Sequence, residues 1–188
     1  MTFRGPHSRI LPLPTAQEIQ INRAPVLTLW AAVVAERLGF DREEALTLGR
    51  AVAGLNAYSK GKALGLFAPT PKEVSERRRK MRAAEGMTVD LLHRAVPCER
   101  TDDGIRALSG DRPINPDSVD RYLTGKFGAA LDDVRGAMVA LARSMSPARL
   151  AGCAYQLYEE FRPEVPAGVK GWGAAGTLSI AKIRSLRE

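Results

Sequence analysis

PVLTLWAAVVAERL, residues 25–38, is apolar almost all round until Glu36 and Arg37. A surface helix carries a single apolar stripe, so a helix that is apolar on every side is expected at the centre of a helical domain. Gly39 should end it. Asp41 is placed to cap the next helix, and Glu44 three residues on completes the reciprocal pattern of a capping box. Over about 42–60, Ala45, Gly49, Ala53 and Ala57 recur every four residues. They form a smooth ridge that lets a second backbone approach closely, and the alanine-rich helix before it is the natural neighbour. The pair over 22–62 has helix–turn–helix order. DNA-binding examples join short helices by a tight turn, however, and these helices are long, so a plain αα-hairpin is expected.

Downstream, Thr70-Pro71-Lys72-Glu73 is a helix start, with Thr as N-cap, Pro at the first position and Glu reaching back from the third. The helix over 70–86 has only Val74, Met81 and Ala84 as an apolar stripe, so it should lie on the surface and stop at Gly86. Arg77, Arg78, Arg79, Lys80 and Arg82 cluster on it. Residues 88–114 lose the helical period and are expected to be irregular or to form one small β-hairpin. Between 115 and 161 three helices are expected. The first opens at Asn115-Pro116, the second carries Leu131, Val134, Met138 and Leu141 on one face, and the third opens at Ser146-Pro147. Over 162–188, a Gly/Pro-rich loop should precede a short helix, about 178–187, that docks on the body through Leu178, Ile180, Ile183 and Leu186.

Residues 1–21, with Pro6, Pro12 and Pro14 and no helical period, are expected to form an extended arm. The fold expected from these segments is mainly α, a single helical domain of about six or seven helices, with at most a small hairpin near 88–114. With 45% apolar, 26% charged and only 6% aromatic residues, a core built on Ala, Leu and Val leans the same way.

Lys and Arg number 28 against 21 Asp and Glu, giving a net charge of +7 and an isoelectric point near 9.8, which favours polyanionic partners. Cys98 and Cys153 lie in different segments with no CxxC or Cys–His clustering, so neither a disulfide framework nor a zinc site is expected. The N-terminal residues have no apolar core of a signal peptide, and the longest nearly apolar run, Val26 to Ala35, is far shorter than a bilayer span. A cytoplasmic location with no membrane partner is expected.

Motifs for chemistry fail on inspection. Gly61-Lys62 lacks the glycine and hydroxyl of a phosphate loop, since Asn56 and Ala63 stand at those places. Lys60 and Lys62 read instead as a basic helix end that suits the negative pole of the dipole. Residues 171–176 match G-x-G-x-x-G, but Pro163 and Pro166 precede them near the C-terminus, where no strand–helix unit of a dinucleotide fold fits. In that loop Lys170 and Trp172 could contact a ligand or a base, although Trp172 anchoring the tail is the plainer role. The carboxylate pairs Asp102–Asp103, Asp132–Asp133 and Glu159–Glu160, and the histidine His93, show no partner pattern for acid–base or metal work. No cofactor and no catalytic residue is expected.

Three function classes remain. One is nucleic-acid binding without strong sequence preference through Arg77, Arg78, Arg79, Lys80 and Arg82, supported by Lys60 and Lys62. Another is a protein-interaction or oligomerisation module using the smooth helix or the C-terminal tail. The third is a small-molecule binder or enzyme around Lys170 and Trp172.

Overall fold

A computed structural model describes residues 18–65, 76, 86–169 and 173–187. In chain order the elements are β1 (Glu18–Ile21), α1 (Arg23–Arg37), α2 (Arg42–Ala63), β2 (Met87–Leu91), β3 (Arg94–Thr101), β4 (Gly104–Ser109), β5 (Arg112–Pro113), α3 (Pro116–Phe127), α4 (Leu131–Arg143), α5 (Pro147–Phe161), β6 (Gly176–Ser179) and α6 (Ile180–Ser185), with a 3₁₀ turn at Gly128–Ala130. Every residue from Pro25 to Ala35 is buried, because α2, α3, α4 and α5 all pack against α1. Its uniform apolarity thus matches surroundings that are protein on all sides.

The α1–α2 contact is close because of what α2 lacks. Ala45, Gly49 and Ala53 are buried. A Cβ on Gly49 would collide with the Thr28 carbonyl oxygen and stand 2.9 Å from the Ala32 amide nitrogen. The Thr28 hydroxyl, itself buried, donates to the Ala24 carbonyl at 2.9 Å and so leaves nothing polar unpaired at the contact. Gly49→Leu should cost about 1–3 kcal/mol or more, since neither backbone can give way. Wild-type stability in chemical unfolding of that variant would mean that the helices do not meet at Gly49.

At its other end α2 closes a sheet. The Asp41 carboxylate accepts from the Glu44 amide (2.8 Å) and Glu44 accepts from the Asp41 amide (3.2 Å), so the capping box is formed. The second Glu44 oxygen accepts from the Ile105 amide at 2.9 Å, and the Thr47 hydroxyl accepts from the Ala107 amide at 3.1 Å. Two amides of β4 therefore end on helix side chains, which is one way to cover a sheet edge. Beside them the guanidinium of Arg106, 7% exposed, pairs with Glu43 and donates to the Ile105 carbonyl. A charge this far from water needs such partners.

The fold is consequently mixed α and β, and the expectation of a mainly-α domain of six or seven helices is corrected. A four-stranded antiparallel meander runs in the order β2-β3-β4-β5, and β1 pairs with β6 in a second, two-stranded antiparallel sheet. In place of the single hairpin expected in 88–114, four strands form. The end of the expected arm is also structured, with Ile21 buried and Glu18 opposite Ser179. The C-terminal helix starts later than its apolar residues suggest, because Leu178 belongs to β6 and only Ile180–Ser185 is helical. Gly176 lets the loop after α5 cross this sheet. A Cβ there would stand 2.8 Å from the Glu164 carbonyl oxygen, and Glu164 exchanges both backbone bonds with Thr177 (3.0 and 2.9 Å).

Of the basic helix expected over 70–86, only Glu76, helical and exposed, and Gly86, exposed, are described. Arg77, Arg78, Arg79, Lys80, Arg82, Lys170 and Trp172 lie outside the described residues. Among the described residues no helix is long and apolar enough to cross a membrane.

Candidate anion-binding site

Four chain ends and turns meet at one place: the start of α1, the last turns of α2, the start of β3 and the end of α5. The elements leave little freedom there. An aromatic chain runs outward from the core, with Trp30 edge-on to Phe161 (5.3 Å), Phe161 edge-on to Tyr158 (6.0 Å) and Tyr158 tilted against Tyr155 (6.1 Å). The Tyr158 hydroxyl donates to the Arg23 carbonyl at 3.4 Å, fixing the start of α1 against α5. Asn56 of α2 is 7% exposed, and its carbonyl oxygen accepts from both the Arg94 guanidinium (3.1 Å) and the Tyr155 hydroxyl (3.3 Å). Arg94 also donates to the Ser59 hydroxyl at 3.2 Å.

Arg94 is delivered by a tight turn. Leu92 and His93 connect β2 to β3 with φ of 49° and 58°, both in the left-handed region where Asn and Gly are the usual occupants. Leu92 is buried, which helps to hold that turn, while His93 points to solvent.

On this scaffold four cations gather around one carboxylate. Arg23 is bonded through Nε to the Pro163 carbonyl (3.1 Å), and Arg162 is paired with Glu159 at 2.9 Å. Lys60 is half-buried among them. Burial lowers its pKa most and Arg162 lowers it further; Glu159 opposes, and Arg23 and Arg94 add to the lowering. Burial pushes the Tyr158 and Tyr155 hydroxyls up, so both stay protonated donors near neutral pH. Each helix end contributes about half an elementary charge, negative at the ends of α2 and α5 and positive at the start of α1. Counting these beside Arg23, Lys60, Arg94, Arg162 and Glu159, a surplus of about two and a half positive charges remains. An anion seated there would favour the charged amine of Lys60.

No protein-family model, no curated protein and no solved structure matches this chain. The chemistry of the site therefore rests on its own residues.

Of the residues singled out in the sequence, the structure brings Lys60 into this cluster and leaves Lys62 exposed, its amine 5.6 Å from the Tyr58 ring centre. Arg23, Arg94 and Arg162 escape the sequence reading. One local signal is present for Arg23, which stands at the first position of a helix whose first turn holds no acidic residue. A cation there opposes the dipole and invites an explanation.

The remaining chemical candidates have structural roles. Asp102 and Asp103 form the turn between β3 and β4. Asp132 and Asp133 occupy the first turn of α4, where the dipole favours them. Burial pushes the Cys98 thiol up to about 11, which keeps it protonated and unreactive at neutral pH. Among the described residues no three His, Cys, Asp or Glu side chains are grouped to hold a metal ion.

Cavities among the described residues lie elsewhere. One of about 20 Å³ between α1, α2, α3 and α4 has room for a single water. A groove of about 270 Å³ between α1 and α4 is lined by Val33, Glu36, Arg37, Val139, Ala142 and Arg143. Its central charges are already engaged. Arg37 donates to the Ala142 and Met145 carbonyls (3.4 and 2.9 Å), and Glu36 pairs with Arg135 at 2.7 Å.

Proposed function

We propose that this protein binds nucleic acid through phosphate contacts, without strong sequence preference, and that Arg23, Lys60, Arg94 and Arg162 form the anchoring part of the interface. The observation that carries this function is the convergence of four cations and one carboxylate at a half-buried position. Guanidinium groups suit phosphate because their planar fork offers paired donors. A polyanion, rather than a small anion alone, is favoured by the charge of the whole chain, +7, and by the five basic residues at Arg77–Arg82, which give it a second place to touch. The surfaces suggested for a protein partner are largely spent within the fold. Ala45, Gly49 and Ala53 pack against α1, and Ile180 and Ile183 of the C-terminal helix are buried.

Titration of fluorescent single-stranded RNA and duplex DNA at low and near-physiological salt tests the function. Both should bind at low salt. Reversing Arg78, Arg79 and Arg82 to Glu should weaken binding to any sequence and flatten the dependence on salt by about one unit of log–log slope for each phosphate no longer neutralised. Binding unchanged by the triple reversal would remove the 77–82 segment from the interface.

A further inference from the structure

We propose that the cluster of Arg23, Lys60, Arg94 and Arg162 is a seat for a terminal phosphate monoester, so that the protein holds a phosphorylated nucleic-acid end. This rests on the nucleic-acid function proposed above and specifies which part of the strand the cluster takes.

Shape is the first ground. Internal phosphates are tracked by basic side chains spread along an open groove. Here the four cations come from four separate elements and act together on the half-buried Lys60, with Arg94 held on Asn56, which Tyr155 also meets, and the Arg23 carbonyl held by Tyr158. A strand can end at such a position more easily than it can pass through.

Charge is the second. A phosphate monoester carries about −1.5 to −2 near neutral pH, whereas an internal diester carries only one negative charge. The surplus of positive charge around Lys60 is matched by the former. Burial of the Lys60 amine and its three arginine neighbours make its charged form costly without an anion, and a doubly charged anion relieves that cost more than a singly charged one.

Local backbone is the third. Asn22, the N-cap of α1, makes no side-chain capping bond, and the first turn of α1 holds no acidic residue. The positive end of a 15-residue helix therefore adds to the field of the four side chains.

The test compares three single strands of one sequence, carrying a 5′-phosphate, a 3′-phosphate or neither, binding to the full-length protein at matched ionic strength. A fourth strand without a terminal phosphate but two nucleotides longer controls for total charge. At least one phosphorylated end should bind about tenfold tighter than both unphosphorylated strands, as expected for charge-assisted bonds made only by that end. Inorganic phosphate should compete away that advantage. Arg23→Gln with Arg162→Gln should erase the preference while salt-dependent binding persists, and Arg162→Lys should keep part of it. Because Arg23 also holds the Pro163 carbonyl, Lys60→Gln is the second variant, with the same expected loss of preference. Equal affinity for all four strands would overturn the end-binding seat and leave nucleic-acid binding standing. If no strand binds at low salt, the proposed function fails and the seat for a nucleic-acid end fails with it.

Discussion

Replacing Trp30 with Ala should remove about 3–5 kcal/mol of stability, a large share of the roughly 5–15 kcal/mol that a domain of this kind possesses. Trp30 is fully buried, and its indole N–H donates to the Ala154 carbonyl at 2.8 Å. It also meets Phe161 edge-on, the geometry in which aromatic pairs add to the burial of area. Truncation opens a cavity against α5, separates the two rings and removes the side-chain bond by which α1 holds the middle of α5. Trp30→Phe should cost far less, because a ring still fills most of the space and only the N–H is missing. Unfolding in urea followed by circular dichroism separates the two. Equal, small losses for both variants would place the weight of the α1–α5 contact elsewhere. The consequence reaches the basic cluster, since Tyr155, Tyr158 and Arg162 are carried by the same α5 or follow its end.

Neutralising Arg23, Arg94 and Arg162 to Gln should weaken single-strand binding at low salt by two orders of magnitude or so. This expectation takes about 1 kcal/mol from each charge-assisted contact that an arginine no longer makes to the phosphate. The log–log dependence on salt should fall by about one unit, since the seat takes one terminal phosphate of nearly two charges and each charge neutralised on a single strand accounts for roughly 0.7. Glutamine retains donors and removes charge, so the change in slope reports electrostatics directly. The variant should also be compared with wild type in thermal melting, because Arg94 holds Asn56 and Ser59 and Arg23 holds Pro163. A folded variant with an unchanged slope would show that the cluster does not meet phosphates.

Helices are legible in the sequence where their signals are local. The capping box at Asp41–Glu44 lies within four residues, and the close approach at Gly49 follows from a four-residue repeat of small side chains. The strands are not, for reasons that can be named. Met87, Val89 and Leu91 do alternate, but the turn that follows is Leu92-His93 rather than Asn-Gly, so nothing announces a hairpin. β3 contains Pro97, an unwelcome residue in a central strand, and it is tolerated because β3 pairs with β4 only over Cys98–Thr101. Leu178 and Ile180 read as one helical stripe, although their two-residue spacing is that of a strand. The change from β6 to α6 falls between them, where the Ser179 hydroxyl caps the Lys182 amide at 3.3 Å.

Only Lys60 of the candidate site can be singled out from sequence, because a basic residue near a helix end is visible locally. Its partners cannot be. Arg23 meets the Pro163 carbonyl across 140 residues, and Arg94 meets Asn56 across 38. Nothing local ties those positions together. The sheets that the sequence conceals explain part of this, since the meander brings Arg94 to the end of α2, and the β1–β6 pairing joins the segments flanking Arg23 and Arg162.

Binding of a labelled single strand to the wild-type protein, followed from low to near-physiological salt, tests the central claim most directly. Phosphate binding through the basic cluster together with the Arg77–Arg82 residues predicts clear association at low salt that weakens steeply as salt rises, with a log–log slope of about two or more for three or four phosphate charges neutralised in all. No binding at low salt, or binding indifferent to salt, would contradict it.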